Sequence, residues 1–142
     1  MPRQVRFARV TDATIAIEDA VLAVESDTAG AVVTFAGVVR NHDGGREVSW
    51  LNYTAHPDAE RVIREVAGAV AERHPSVELA VEHRVGELRV GDLALACAVS
   101  SAHRAEAFAA CADLVDTVKA TVPIWKEQGF ADGTTEWVAA LG

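Results

Sequence analysis

The sequence predicts an α+β fold with a largely antiparallel sheet and packed helices, and three observations lead there. Short runs rich in β-branched residues, such as Ala31–Val39 (AVVTFAGVV) and Leu93–Val99, alternate with two long helical patterns. The turn signals beside those runs, Arg40-Asn-His-Asp-Gly-Gly45 and Gly91-Asp92, are too short to hold a helical crossover, so the strands they join should be antiparallel. With 142 residues, 50% of them hydrophobic, the chain can bury one core but not two ordinary ones, and a single domain over 1–142 is expected.

Taken in order, Val5 to Val10 reads as a short strand. Thr14 to Glu25 reads as a short helix, with Ile17, Val21, Leu22 and Val24 toward one side. The turn at Gly30 leads into the buried strand Ala31–Val39, and Val48 to Ala55 is the strand expected to return after the Gly44-Gly45 turn. Asp58 to Arg73 carries the clearest helical signature: Ala59, Val62, Ile63, Val66, Ala67 and Val70 recur at i, i+3, i+4 and i+7, with Pro57 near the first turn. Val77–Glu82 alternates apolar and acidic residues, and it and Leu93–Val99 are expected to be strands connected through Gly91-Asp92. A last helix should run from about His103 to Thr121, with Phe108, Cys111, Val115, Val118 and Val122 inward and Pro123 stopping it, before a short strand near Glu136–Val138.

Thirteen Lys and Arg against 21 Asp and Glu give a formal net charge of −8, which argues against a general nucleic-acid or anionic-membrane binder. The apolar stretches are far shorter than a membrane span, and the beginning Met1-Pro-Arg-Gln-Val-Arg lacks the apolar core of a signal peptide, so a cytoplasmic protein is expected. Cys97 and Cys111 lack metal-ligand spacing and read as small buried hydrophobes.

Against that acidic background, five basic or titratable groups stand at element ends: Arg40, His103, Arg104, Lys119 and Lys126. They suggest a local anion site. Lys119, one step from Val118 and four from Val115, falls at the margin of the inward stripe, where its stem can be buried and its amine partly desolvated. Desolvation and nearby positive charge favour the neutral amine, a nucleophile or base; a protonated lysine is an electrostatic clamp, and a surface lysine with a buried stem is the structural alternative. His103 and Arg104 open a helix, where backbone N–H groups and the dipole favour an anion, although His103 could equally cap the helix or pack on Trp125 or Trp137. Arg40 precedes the flexible Gly44-Gly45 turn and either folds over an anion or is merely solvated. His42 and Asp43 could form a pair of metal ligands, but no third ligand is suggested and no metal is expected.

Sixteen helical steps separate residues 103 and 119, about 24 Å along the axis, too far for one small ligand to bridge. Either the two ends serve different sites, or a second copy brings its His103 and Arg104 to the Lys119 of the first, making a homodimer with two composite sites.

Several ordered motifs then coincide: Gly30-Ala-Val-Val-Thr-Phe-Ala-Gly37, Val39-Arg40-Asn41, His83-Arg84-Val-Gly86-Glu87-Leu88, Gly91-Asp92, Ser101-Ala-His103-Arg104, Ala107-Phe108, Lys119, Pro123-Ile-Trp125-Lys126 and Trp137-Val138. Over about residues 30 to 138 the chain resembles the large, catalytic subunit of molybdopterin synthase. The resemblance implies an α/β-hammerhead type of fold and the conversion of cyclic pyranopterin monophosphate to molybdopterin by installing two sulfurs as a dithiolene. It implies that sulfur arrives as a thiocarboxylate on the Gly-Gly C-terminus of a small ubiquitin-like partner subunit, and that a central homodimer carries one small subunit at each end, a heterotetramer. It implies no cofactor and no role for either cysteine.

Carried over by motif, Lys119 is the principal catalytic lysine and Lys126 assists it as acid/base or by stabilising developing negative charge. Arg40, with His103 and Arg104 of the neighbouring protomer, would hold the substrate phosphate. Val38 and Val39 would line the site, and Glu127 and Gln128 would lie at its rim. Relatives often have a second basic residue and then Glu after the Trp-Lys pair, where this chain has Glu127 and Gln128, and many carry a basic tail where this sequence reads Ala139-Ala-Leu-Gly142. Two other readings use the same residues: a noncatalytic binding module for a phosphorylated small molecule or an acidic peptide tail, and a Schiff-base enzyme using Lys119.

Overall fold

The computed structural model describes residues 2–138; residues 139–142, on which the expectation of an absent basic tail rests, lie outside the described residues. Among the described residues, two sheets and three helices make up an α+β fold. The first sheet runs in the order β1 (Val5–Thr11), β5 (Glu78–Arg84), β7 (Leu93–Ser101), β2 (Ala31–Val38). Its β5–β7 and β7–β2 pairs are antiparallel, whereas β1 lies parallel to β5, a pairing between segments some 70 residues apart that no turn signal marks. The second sheet is antiparallel: β3 (His42–Asp43), β4 (Arg46–Ala55), β8 (Ile124–Phe130) and β9 (Thr135–Val138), with β6 (Gly86–Arg89) also paired to β4.

Both faces of the first sheet are covered because its strands carry apolar residues at successive positions. Helices α2 (Ala59–Arg73) and α3 (Arg104–Thr121) bury Ile63, Val70, Leu114 and Val118 against Leu79 and Val99. Helix α1 (Ile17–Val24) packs Ala20 and Val24 on Ala80 and Ala98, which alternation points the other way. Each fully buried Leu or Ile contributes roughly 1.5–3 kcal/mol. A polar clasp joins α2 to α3: Arg73 donates to both carboxylate oxygens of Asp113, at 2.9 and 3.0 Å, and the His74 ring nitrogen lies 2.8 Å from the same group. A smaller core of Val39, Val48, Leu51, Leu88, Ala94 and Phe130 underlies the second sheet.

The structure corrects several sequence expectations. Val48–Ala55 does not return along β2; it joins the other sheet, and the Gly44-Gly45 turn, with both φ positive, closes the short β3–β4 hairpin instead. Strands β5 and β7 do pair, but the chain between them detours through β6 into the second sheet. Strand β8 has no counterpart in the sequence reading. On α3 the expected inward residues Cys111, Val118 and Val122 are buried and Val115 packs on the core, but Phe108 is 61% exposed and Ala107, Ala110 and Leu114 complete the buried face; on α1 Leu22 is likewise exposed. Among the described residues, no helix is long and apolar enough to cross a membrane.

Candidate functional site

Where the two sheets meet, a cleft of about 430 Å³ opens between the end of β2, the β3–β4 hairpin, the last turn of α3 and β8. Each element delivers its side chains for a local reason. The register of β2 against β7 shifts between Gly37 and Val38, where a Cβ on Gly37 would come within 3.2 Å of the Phe35 ring and 3.3 Å of Leu95. Past this bulge the Val39 amide donates to the Asp92 carbonyl at 3.0 Å and the Gly91 amide donates to the Val39 carbonyl at 2.8 Å. Val39 is thereby buried, Val38 is exposed at the cleft wall, and Arg40 is carried to the mouth.

Helix α3 ends with the Val122 amide donating to the Val118 carbonyl, and Pro123, which has no N–H to continue the ladder, turns the chain into β8. Lys119 stands in that last turn with its ammonium 5.9 Å from the Phe35 ring centroid. Strand alternation on β8 then sends Lys126 and Gln128 into the cleft and Trp125 and Glu127 to the opposite face. Gln128 is 2% exposed and donates its amide to Asp43. The Asp43 carboxyl also lies 3.5 Å from Arg40, and the Gln128 hydrogen bond, helped by the charges of Lys126 and Arg40, holds it below the usual carboxylate range.

The cleft floor holds a buried imidazole. His83, 1% exposed, has Nδ1 2.7 Å from the Arg84 carbonyl oxygen and stands edge-to-face with Tyr53 at a centroid distance of 4.9 Å. Burial, helped by the charge of Lys119, pushes its pKa down to about 4, so the ring is neutral near pH 7. Burial also raises the Tyr53 hydroxyl.

Six of the predicted site residues therefore meet in one cleft: Val38, Val39, Arg40, Lys119, Lys126 and Gln128. Glu127, expected at the rim, does not join them; it faces a separate depression with Trp50, Asn52 and Glu87, because it alternates with Lys126 and Gln128 on strand β8. His103 and Arg104 stand at the far end of α3, exposed beside Gly30 and Ala102. His103 occupies the N-cap with extended backbone but makes no side-chain cap, and it is His56 rather than His103 that neighbours Trp125, at 6.4 Å. Lys119 is exposed in the protomer, contrary to the partly desolvated amine that the stripe suggested, since its helix edge opens onto the cleft. Both cysteines are buried and burial raises both thiols, away from reactive thiolate character. Sequence reasoning missed His83, Tyr53 and the Asp43–Gln128 pair. His83 lies near the end of a buried strand with no spacing signal, and the pair joins residues 85 positions apart.

Fold and cleft together define an α+β protein that gathers two lysines and an arginine around one pocket. The chain belongs to the MoaE protein family, whose model matches residues 10–121. It is 37% identical over 133 residues to molybdopterin synthase catalytic subunit 1 of Mycobacterium tuberculosis, covering 93% of this chain and 90% of that protein. With the molybdopterin synthase catalytic subunit of Pyrococcus abyssi it shares 40% identity over 118 residues, 82% of this chain and 80% of the relative. The X-ray crystal structure of molybdopterin synthase from Staphylococcus aureus superposes with a TM-score of 0.86 at 31% identity, covering 97% of this chain and 98% of that one.

Proposed function

We propose that this chain is the catalytic subunit of a molybdopterin synthase, a cytoplasmic enzyme of molybdenum cofactor biosynthesis formed by residues 1–142 as one domain. It transfers sulfur from the C-terminal thiocarboxylate of a small ubiquitin-like subunit to cyclic pyranopterin monophosphate. The observation that carries this reading is the convergence of Lys119, Lys126 and Arg40 on one cleft in a chain of this family. The partner's Gly-Gly tail is narrow enough to enter such a cleft, and its anionic thiocarboxylate meets ammonium groups there. Lys119 acts on the tail's terminal carbonyl and the pterin side chain, and Lys126 stabilises the negative charge that develops as sulfur leaves its carrier. The entering tail excludes water from the Lys119 amine, which is exposed in the free chain.

Arg40 is one ligand for the substrate phosphate. His103 and Arg104 reach it from the neighbouring protomer of a homodimer, since within one chain they stand about 24 Å along α3 from Lys119. The complete assembly is then a homodimer flanked by two small subunits. Anaerobic incubation with a thiocarboxylated ubiquitin-like partner and cyclic pyranopterin monophosphate, read by mass spectrometry, tests the reaction. A pterin carrying two added sulfurs is the expected result. Saturable binding of both components without a product would replace this reading with a noncatalytic binding module.

A further inference from the structure

A buried imidazole in the cleft, His83, belongs to no step of that reading. The Arg84 carbonyl oxygen can only accept, so the 2.7 Å contact requires His83 to carry its proton on Nδ1. A neutral ring protonated at Nδ1 leaves a lone pair on Nε2. Among the described residues Nε2 has no hydrogen-bond partner, although His83 is 1% exposed and lines the cleft with Lys119 and Lys126. The atom is also not sealed, for among the described residues the fully buried side-chain polar atoms that lack a partner are Glu78 Oε2 and Arg84 Nε. Tyr53 braces the ring edge-to-face, so the lone pair has a fixed direction.

The surrounding chemistry says what this lone pair meets. Arg40, Lys119 and Lys126 can only donate while charged, and the Asp43 carboxylate already accepts from Gln128 and Arg40. The three cations suit the anionic parts of a ligand and offer nothing to its donors. We propose that His83 is a specificity-determining residue: its Nε2 accepts a hydrogen bond from an N–H or O–H donor on the ring system of the bound substrate. The inference rests on the pterin phosphate reading above and deepens it, assigning the phosphate to the cations and the ring donor to His83. A substrate analogue lacking that donor would leave a buried acceptor unpaired, which is how a polar site rejects a near-isostere.

Two substitutions separate this role from a structural one. His83→Asn keeps an N–H at the Nδ1 position for the Arg84 carbonyl but ends short of Nε2; His83→Gln reaches the Nε2 position with a carbonyl oxygen and forgoes the Arg84 bond. Binding of cyclic pyranopterin monophosphate to each variant is measured by calorimetry, alongside steady-state turnover in the complete synthase and a thermal melt. The expected result is about tenfold weaker binding and a tenfold higher KM for His83→Asn, the loss of one hydrogen bond, with kcat within about threefold, and substantial recovery in His83→Gln. Unchanged binding by a folded His83→Asn protein, or His83→Gln as the more impaired variant, overturns the proposal. If His83→Asn does not fold, His83→Gln and His83→Phe make the same comparison, since both forgo the Arg84 bond and only Gln supplies an acceptor. Wild-type protein that binds the pterin without converting it overturns the synthase reading and leaves this inference standing; wild-type protein that does not bind it overturns both.

Discussion

Acid should unfold this protein partly through one buried imidazole, and the size of the effect follows from its surroundings. His83 is neutral in the native state with a pKa near 4, against an ordinary value of 6.5 once the chain unfolds and the ring meets water. The unfolded state therefore binds a proton that the folded state refuses. The neutral ring's contribution is fully present above pH 6.5, declines as pH falls below it, and is lost by the time pH passes through about 4. At about 1.4 kcal/mol per pH unit, that gap corresponds to roughly 3 kcal/mol. In a chain of this length the change is roughly 10 °C in Tm. Urea unfolding of the wild type and of His83→Asn, at pH 7.5 and at pH 4, isolates it. The variant cannot titrate at this position, so the stability difference between the two proteins should shift by about 3 kcal/mol in the variant's favour at the lower pH. Asp113, pulled down to about 2 chiefly by Arg73, destabilises in the same direction, but in a lower pH window and equally in both proteins, so it cancels. Parallel loss of stability in the two proteins would refute the account of His83 as a desolvated neutral group.

Lys119→Ala should abolish sulfur transfer while moving the urea midpoint by the equivalent of less than about 0.5 kcal/mol, because the side chain is exposed; product formation at the wild-type rate would remove it from the chemistry. Mixing Lys119→Ala with His103→Ala protomers should restore activity through the one intact composite site of each mixed dimer, and an absence of recovery after confirmed subunit exchange would place His103 elsewhere. Gly129→Ala should destabilise by about 1–3 kcal/mol in a urea melt, since its Cβ would fall 2.1 Å from Trp50 Nε1 on the adjacent strand; a neutral outcome would mean that the indole swings aside freely.

The parts of the fold with strong local periodicity were legible in the sequence. Helix α2 begins at Ala59 and ends at Arg73, within one residue of the reading, because its apolar stripe is dense and Pro57 marks its start. The strand Ala31–Val38 was equally plain from its β-branched run. Strand β8 was invisible for the opposite reason: Ile-Trp-Lys-Glu-Gln-Gly-Phe shows no regular alternation or β-branched run, and the segment is extended because β4 and β9 pair with it on either side. That omission moved Glu127 to the wrong side of the site. The basic residues of the cleft could be nominated from their positions at element ends, but the neutral and acidic ones could not. Asp43 looked like half of a metal pair and proves to be the acceptor for Gln128, a relation set by which hairpin lands on which strand.

The alternation along β8 also limits how this protein can change length. Lys126 and Gln128 reach the cleft only because they share parity on a strand held in register by both neighbours. Inserting or deleting one residue between Pro123 and Lys126 would exchange Lys126 with one of its neighbours, exporting a lysine to the outer face and importing Trp125 or Glu127 into the cleft. The same edit beyond Phe130, in the turn that holds Gly133 at positive φ, would leave that parity untouched. Along this part of the chain, length variation compatible with the cleft therefore falls in the turn between β8 and β9, and a homologue with an odd-numbered insertion within the first half of β8 would need a different lysine.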